Sequence, residues 1–266
     1  MHQLQLYLYF IKLKVKCMTE YPIAFWTHAF TKVLGWGADI LVVYLLILRF
    51  ENILIWTANE VLFFYTLNIT SYSLAGFFMY HPFERLSEHI QNGSFDEILT
   101  KPLSPFLYLC FKEFSTGYAG NMIISLMALI YCINELKITV NIFNIILLII
   151  IIVSGMLIHS SLLILFNIPA FWIIRTDALR LMKDSFLEFI KYPISIYDRW
   201  IQVILTIFIP LAFVSFLPAQ ILLNKFDSLC FDHRIIYIAP FIGITLLGLS
   251  IVLFNIGIRH YKSTGS

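Results

Sequence analysis

Six long apolar runs constrain this chain more than anything else in it. They lie near 28–49, 59–80, 111–133, 140–167, 201–223 and 236–258, and each is rich in Ile, Leu, Phe and Val. A helix needs about 20 such residues to cross the hydrocarbon of a bilayer. No water is there to satisfy backbone groups, so only helices or closed barrels can cross. The alternating pattern of barrel strands is absent from these runs. Composition agrees: 60% of the 266 residues are hydrophobic and 13% are charged, about half the charged share of a soluble domain. The expectation is an all-α membrane protein with six spans, organised as one transmembrane domain over 1–266 and partnered first of all by the lipid bilayer.

The net charge of +2 gives no footprint for nucleic acid. Cys17, Cys110, Cys132 and Cys230 are scattered, with neither paired nor zinc-type spacing. The first 21 residues show no small-residue cleavage site after a clean apolar core, so no secretory leader is expected. Leu4, Leu8, Ile11, Val15 and Met18 recur at helical spacing there, with Lys12, Lys14 and Lys16 mostly off the stripe. Residues 1–21 are therefore predicted to form an amphipathic helix in the membrane interface.

Lys and Arg set the orientation. With the N-terminus in the cytoplasm, the inner segments hold Lys12, Lys14, Lys16, Arg85, Lys101, Lys112, Arg175, Arg180, Lys183, Lys191, Arg199, Arg259 and Lys262. The outer segments hold only Arg49, Lys137, Lys225 and Arg234. Both termini are expected inside. So is "ERLSEHIQNGSFDEILTKPLSP", Glu84 to Pro105, the most polar stretch of the chain.

Residues 171–200 resist this scheme. Leu179, Met182, Phe186, Phe189 and Ile190 form an apolar stripe, with Arg180, Lys183, Asp184 and Glu188 off it. The first reading is a cytoplasmic amphipathic helix ending at Tyr192-Pro193, since the residue before proline disfavours helix. In a rival reading the stretch crosses the membrane with its polar face inward, and 201–223, interrupted by Pro210 and Pro218, dips in from outside and returns. The fifth span stays open between them.

Within the polar stretch, Phe83, Leu86 and Ile90 fall at helical spacing, and Asn92-Gly93 reads as a left-handed helix stop. Ser94-Phe95-Asp96-Glu97 fits a capping box that opens a second short helix. Asp96 adds negative charge at that helix's positive end, and Lys101-Pro102 closes it. Two short helices joined at a glycine suit a docking knob.

These residues resemble a known family. "IQNGSFDEILTKPLSP" is similar to the I-x-x-G-x-x-D-x-x-L-x-x-P-L-S-P stretch of ABC-2 type exporter permeases, in the branch with paired permeases and a separate ATPase. Phe171-Trp172, "YPISIY" from Tyr192 and "FIPLAFVSFLPAQ" from Phe208 extend the resemblance over most of the chain. It implies a six-span permease with an N-terminal interfacial helix, re-entrant helices before the last span, and a bacterial inner-membrane location. It also implies a coupling-helix segment at 81–105, which seats on the ATPase through Glu84, Arg85, Glu88, Gly93, Asp96, Glu97 and Pro102. Gly93, Asp96 and Pro102 are the positions that match the motif itself.

The chain has no GxxxxGK[ST], HExxH or GxSxG motif. It is expected to be no enzyme and to hold no cofactor. ATP and Mg would be bound by a partner ATPase, two copies per complex, beside a second permease that is identical or homologous. Asp39, mid-span, and Glu60, near the outer end of the second run, are the candidate translocation-path residues. A central Asp costs about 2.5–3.5 kcal/mol on insertion scales, so Asp39 should face protein or water. A pathway contact and a structural partner in the bundle both fit that cost. His159, among Ser154, Gly155, Ser160 and Ser161, reads as a satisfied histidine at a close helix contact. The alternative to an ATP-driven exporter is an ion-gradient-driven secondary transporter or channel, a class that tends to show internal repeats and paired membrane carboxylates.

Overall fold

The computed structural model describes residues 22–50, 52–115, 117–173, 175–226 and 233–262, with isolated positions at 9, 12, 13, 16 and 20. The interfacial helix expected at 1–21 otherwise lies outside the described residues. The long helices are α1 (Pro22–Phe50), α2 (Ala58–Glu84), α6 (Gly117–Glu135), α7 (Ile142–Asn167) and α12 (Ala239–His260). Four helical stretches, 58–91, 117–135, 142–173 and 239–260, are long and apolar enough to cross a membrane. In α1 the strongly apolar part is the shorter Leu34–Leu45. Between α1 and α2 a small antiparallel hairpin pairs β1 (Asn52–Ile53) with β2 (Trp56–Thr57).

Helix α2 is the axis of the bundle. Every residue from Val61 to Ser73 is buried, because α1, α6 and α7 pack around it. A helix surrounded by protein needs no apolar stripe, which is why α2 carries Thr66, Asn68, Thr70, Ser71 and Ser73 without a polar face. Thr66 and Thr70 donate to their own helix, to Phe63 O at 2.9 Å and Thr66 O at 2.7 Å. His159 Nε2 donates to Asn68 Oδ1 at 2.9 Å and its ring meets the edge of Tyr72. The histidine is therefore satisfied inside the bundle. Gly155 is small for a visible reason: a Cβ there would stand 2.6 Å from Ser71 Oγ.

The outward faces of α6, α7 and α12 are the reverse. Ile123, Met127, Phe143, Ile146, Ile149, Phe241, Leu249 and Val252 are all exposed. Contiguous apolar surface of this extent is not found on a soluble monomer. It faces lipid, and the chain is a multi-pass membrane protein.

Local signals start the helices. Thr57 and Glu60 form a capping box on α2, with Thr57 N–H donating to Glu60 Oε2 at 2.7 Å. Asn141 Oδ1 accepts from Asn144 N–H to cap α7. Pro105 occupies the first turn of α5 (Pro105–Lys112), where its missing N–H costs nothing.

The region 170–223 bears on the fifth span, which the sequence leaves open. After α8 (Ala170–Ile173), α9 (Asp177–Phe189) is the expected amphipathic helix and ends before Pro193. Its exposure is mixed. Lys183 is 3% exposed while Leu181 is 64% and Met182 46% exposed. Asp184 and Glu188 are exposed, whereas Phe186, Leu187 and Phe189 pack against the bundle core and Ile190 just after the helix is buried. The apolar stripe therefore faces the bundle toward the end of α9 and turns out around Met182. Helix α9 packs against α7 and reaches α2 through side chains: Arg180 meets Glu84, Lys183 lies over the Tyr80 ring, and Glu188 lines a cavity with Tyr65. Beyond it, α10 (Arg199–Val203) with its π-type continuation to Phe208, and the stretch Leu211–Leu223 that includes α11 (Phe216–Leu223), are bent by 77° at Pro210. Val214 next to the bend touches the site of Gly155, and Lys225 beyond α11 returns to the Ala58 end of α2.

Candidate functional site

Three arrangements stand along α2. At its Glu84 end, α3 (Leu86–Gln91) and α4 (Ser94–Leu99) form the predicted pair of short helices. Gly93 joins them at φ 68°, a left-handed conformation that costs a residue with Cβ roughly 1–2 kcal/mol. The pair is fastened by one side. Phe83, Leu86, Ile90, Phe95 and Ile98 are buried in an apolar cluster with Phe106, Leu109, Ile164, Phe171 and Phe254. Each large side chain so buried contributes about 1.5–3 kcal/mol. Phe95 meets both Phe171 and Tyr261 edge to face. The other side is polar and exposed: Arg85, Glu88, Gln91, Glu97 and Pro102.

Two details differ from the sequence reading. The expected capping box at Ser94 does not form; α4 is capped by Gly93, and the Ser94 hydroxyl turns back to His89, 2.8 Å from Nδ1. His89 Nε2 in turn donates to Glu113 Oε1 at 2.9 Å, tying the knob to the segment after α5. Burial alone would raise the Glu113 carboxyl, but the His89 hydrogen bond and charge, with Arg85 and Lys112 nearby, bring it below its ordinary value. Glu84 also points inward, accepting from Arg180 Nη1 at 2.9 Å. Asp96 is half-buried in the first turn of α4, and Glu97 pairs outward with Lys101 at 3.4 Å.

Midway along α2 a half-open cavity of about 180 Å³ lies between α1, α2, α7 and α9. Asp39 of α1 lines it, and so do Asp184, Glu188 and Lys191 from α9 and its end. Glu188 pairs with Lys191 at 2.8 Å and Asp184 with Lys183 at 3.0 Å. Asp39 has no ion-pair partner among the described residues. Trp36, Tyr65 and Tyr72 supply aromatic walls, and the Tyr65 hydroxyl is buried without a hydrogen-bond partner among the described residues.

At the Ala58 end, Glu60 sits apart from that cavity. Lys225 Nζ donates to both of its oxygens, at 2.9 and 2.7 Å, while lying over the Trp56 ring. Trp56, Phe64 and Phe216 complete an edge-to-face aromatic triad. Glu60 is thus a cap and a clamp, and the structure does not bring it together with Asp39.

Sequence reasoning missed His89, Glu113, Arg180 and the α9 carboxylates as site residues. The signal for the last was present: Asp184 and Glu188 are one helical turn apart on the charged side of α9.

The model of the ABC-2 family transporter proteins matches residues 33–265. No curated protein sequence matches the chain. The chain belongs to the ABC-2 transporter family, as a membrane-spanning transport subunit and not a catalytic one. That family implies an ABC ATPase as partner.

Proposed function

We propose that the chain is the permease of an ATP-driven exporter, working as a homo- or heterodimer with two copies of a separate ATPase that bind ATP and Mg. The observation that carries this reading is the α3–α4 knob: rigidly rooted in apolar packing on one side and presenting Arg85, Glu88, Glu97 and Pro102 on the other. A handle for a soluble motor must be stiff toward the bundle and polar toward its partner. Closure of the ATPase pair would move it as a unit and bias a two-state rearrangement of the spans. Gly93 and Asp96 would fix its shape, and Glu84 would relay it through Arg180 to α9.

In this reading the chain crosses six times, with both termini in the cytoplasm of a bacterial inner membrane. The fifth crossing is made by the stretch 171–200, and 201–223 is a re-entrant pair on the outer side. The 77° bend supports a re-entrant pair over a single span at 201–223. The path for substrate runs past Asp39 between α1, α2 and α9 of facing permeases.

The test is co-purification of the detergent-solubilised chain with its genomic neighbours, native or with 84–102 replaced by a Gly/Ser linker. An ATPase that is retained by the native chain and lost with the linker supports the reading. Absence of an ATPase from both forms overturns it. Gly93→Pro and Asp96→Lys should retain a stable membrane protein but lose nucleotide-driven transport.

A further inference from the structure

We infer that the cavity between α1, α2 and α9 binds an organic cation with an aromatic or alkyl body, recognised by the Asp39 carboxylate and the rings of Trp36, Tyr65 and Tyr72. The charge balance points first to a cation. Three carboxylates line the cavity, Asp39, Asp184 and Glu188, against the single ammonium of Lys191. Counting Lys183, which is paired with Asp184 beside the cavity, still leaves an excess of one negative charge. Asp39 carries that excess, being the carboxylate without an ion-pair partner among the described residues.

The walls narrow the cation further. Among the described residues, no three His, Cys, Asp or Glu side chains converge closely enough to hold a metal ion. A bare cation would therefore be held by one carboxylate, with aromatic faces around it that cannot replace its water. A quaternary or alkylated ammonium is different, because its charge is diffuse and its hydration weak. Aromatic faces attract it through their quadrupoles and bury its apolar surface together. Trp36 and Tyr72 are already tilted against each other at 5.6 Å between centroids, forming one corner of such a box.

A second observation points to an occupant. Tyr65 is 1% exposed and its hydroxyl has no hydrogen-bond partner among the described residues, although it borders the cavity. Buried hydroxyls are almost always satisfied. A ligand with a polar head and apolar body would supply the missing partner. Another wall of the cavity is fixed as well, because His159 is held by Asn68 at 2.9 Å.

The bound cation becomes a transported substrate only if the exporter reading above holds. Binding can be measured without it. The probe is radiolabelled benzyltrimethylammonium, titrated onto the full chain in nanodiscs of zwitterionic lipid, without ATPase or nucleotide. Saturable binding is expected, weakened at least tenfold by Asp39→Asn and several-fold by Trp36→Leu, and not displaced by excess benzenesulfonate. Asp39 is exposed on α1, so Asp39→Asn is not expected to disturb folding; Tyr65→Phe is a second variant that keeps the ring. Absence of saturable binding, equal affinity in Asp39→Asn, or equal displacement by benzenesulfonate would overturn the inference. Retention of an ATPase by an Asp39→Asn chain that no longer binds the cation would leave the exporter reading standing and support the cation site. Binding by a chain that captures no ATPase would support the cation site while removing the exporter reading.

Discussion

Two regions along α2 solve different problems. At the Glu84 end, α3 and α4 are rooted in an apolar cluster and turn Arg85, Glu88 and Glu97 out, while Glu84 and Glu113 turn inward to Arg180 and His89, so the pair forms a stiff projection. Halfway along, around Asn68 and Tyr72, carboxylates of α1 and α9 gather beside aromatic walls at a half-open cavity. The first arrangement suits contact with a soluble protein. The second suits holding a ligand. The same side-chain chemistry thus separates a region made to transmit force from one made to hold something.

Breaking the stiff end should have the largest effect. Phe95→Ala removes a fully buried ring shared by two other aromatics, and should cost about 3–5 kcal/mol. Thermal unfolding in detergent would show it, and a shift of less than a degree would mean the cluster is not a fold-stabilising root. Gly93→Val should cost roughly 1–2 kcal/mol through its left-handed backbone, read as a lowered melting temperature with the inserted protein intact.

Acid should loosen the knob through Glu113. Its folded carboxyl lies below the ordinary value of 4.5. Its stabilisation is therefore complete above that value and lost as pH falls through the lower, folded one. Glu113→Gln should cost about 1–2 kcal/mol at neutral pH, and the gap between variant and parent should close in strong acid. A gap that stayed constant from pH 7 to strong acid would sink this assignment.

The smallest stability effect sharpens the comparison most. Glu97 and Lys101 pair on the exposed side, and Glu97→Gln should change stability by at most about 0.5 kcal/mol. If the exposed side is the docking surface, the same variant should weaken ATPase capture. Undiminished capture would move the contact to Arg85 and Glu88.

Much of this was legible in the sequence, for physical reasons. The long apolar runs announce themselves, since lipid admits no other reading. The glycine turn at Gly93 is local chemistry and came through intact. The Ser94 capping box failed because a partner outside the local window, His89, took the hydroxyl. The stripe on α9 is legible in part: Ile190 is buried and Phe186 and Phe189 pack on the core, while Met182 is exposed and Lys183 buried, a split that periodicity alone does not encode. Glu60 and Lys225, and His89 and Glu113, are brought together only by the bundle. The partner of Glu60, Lys225, lies far along the chain, so the pair is invisible to local reading.

Phe95 has a mechanical consequence. It is a ball joint: one ring held between Phe171, which follows α7, and Tyr261, which follows α12. A push on the knob would travel through it as a stiff stroke into the two helices that face lipid. The cavity-lining α9 is reached from the same place through one hinge-like strut, Arg180 on Glu84. A stroke through the joint and a pull through the strut would meet at α7, against which both α12 and α9 pack.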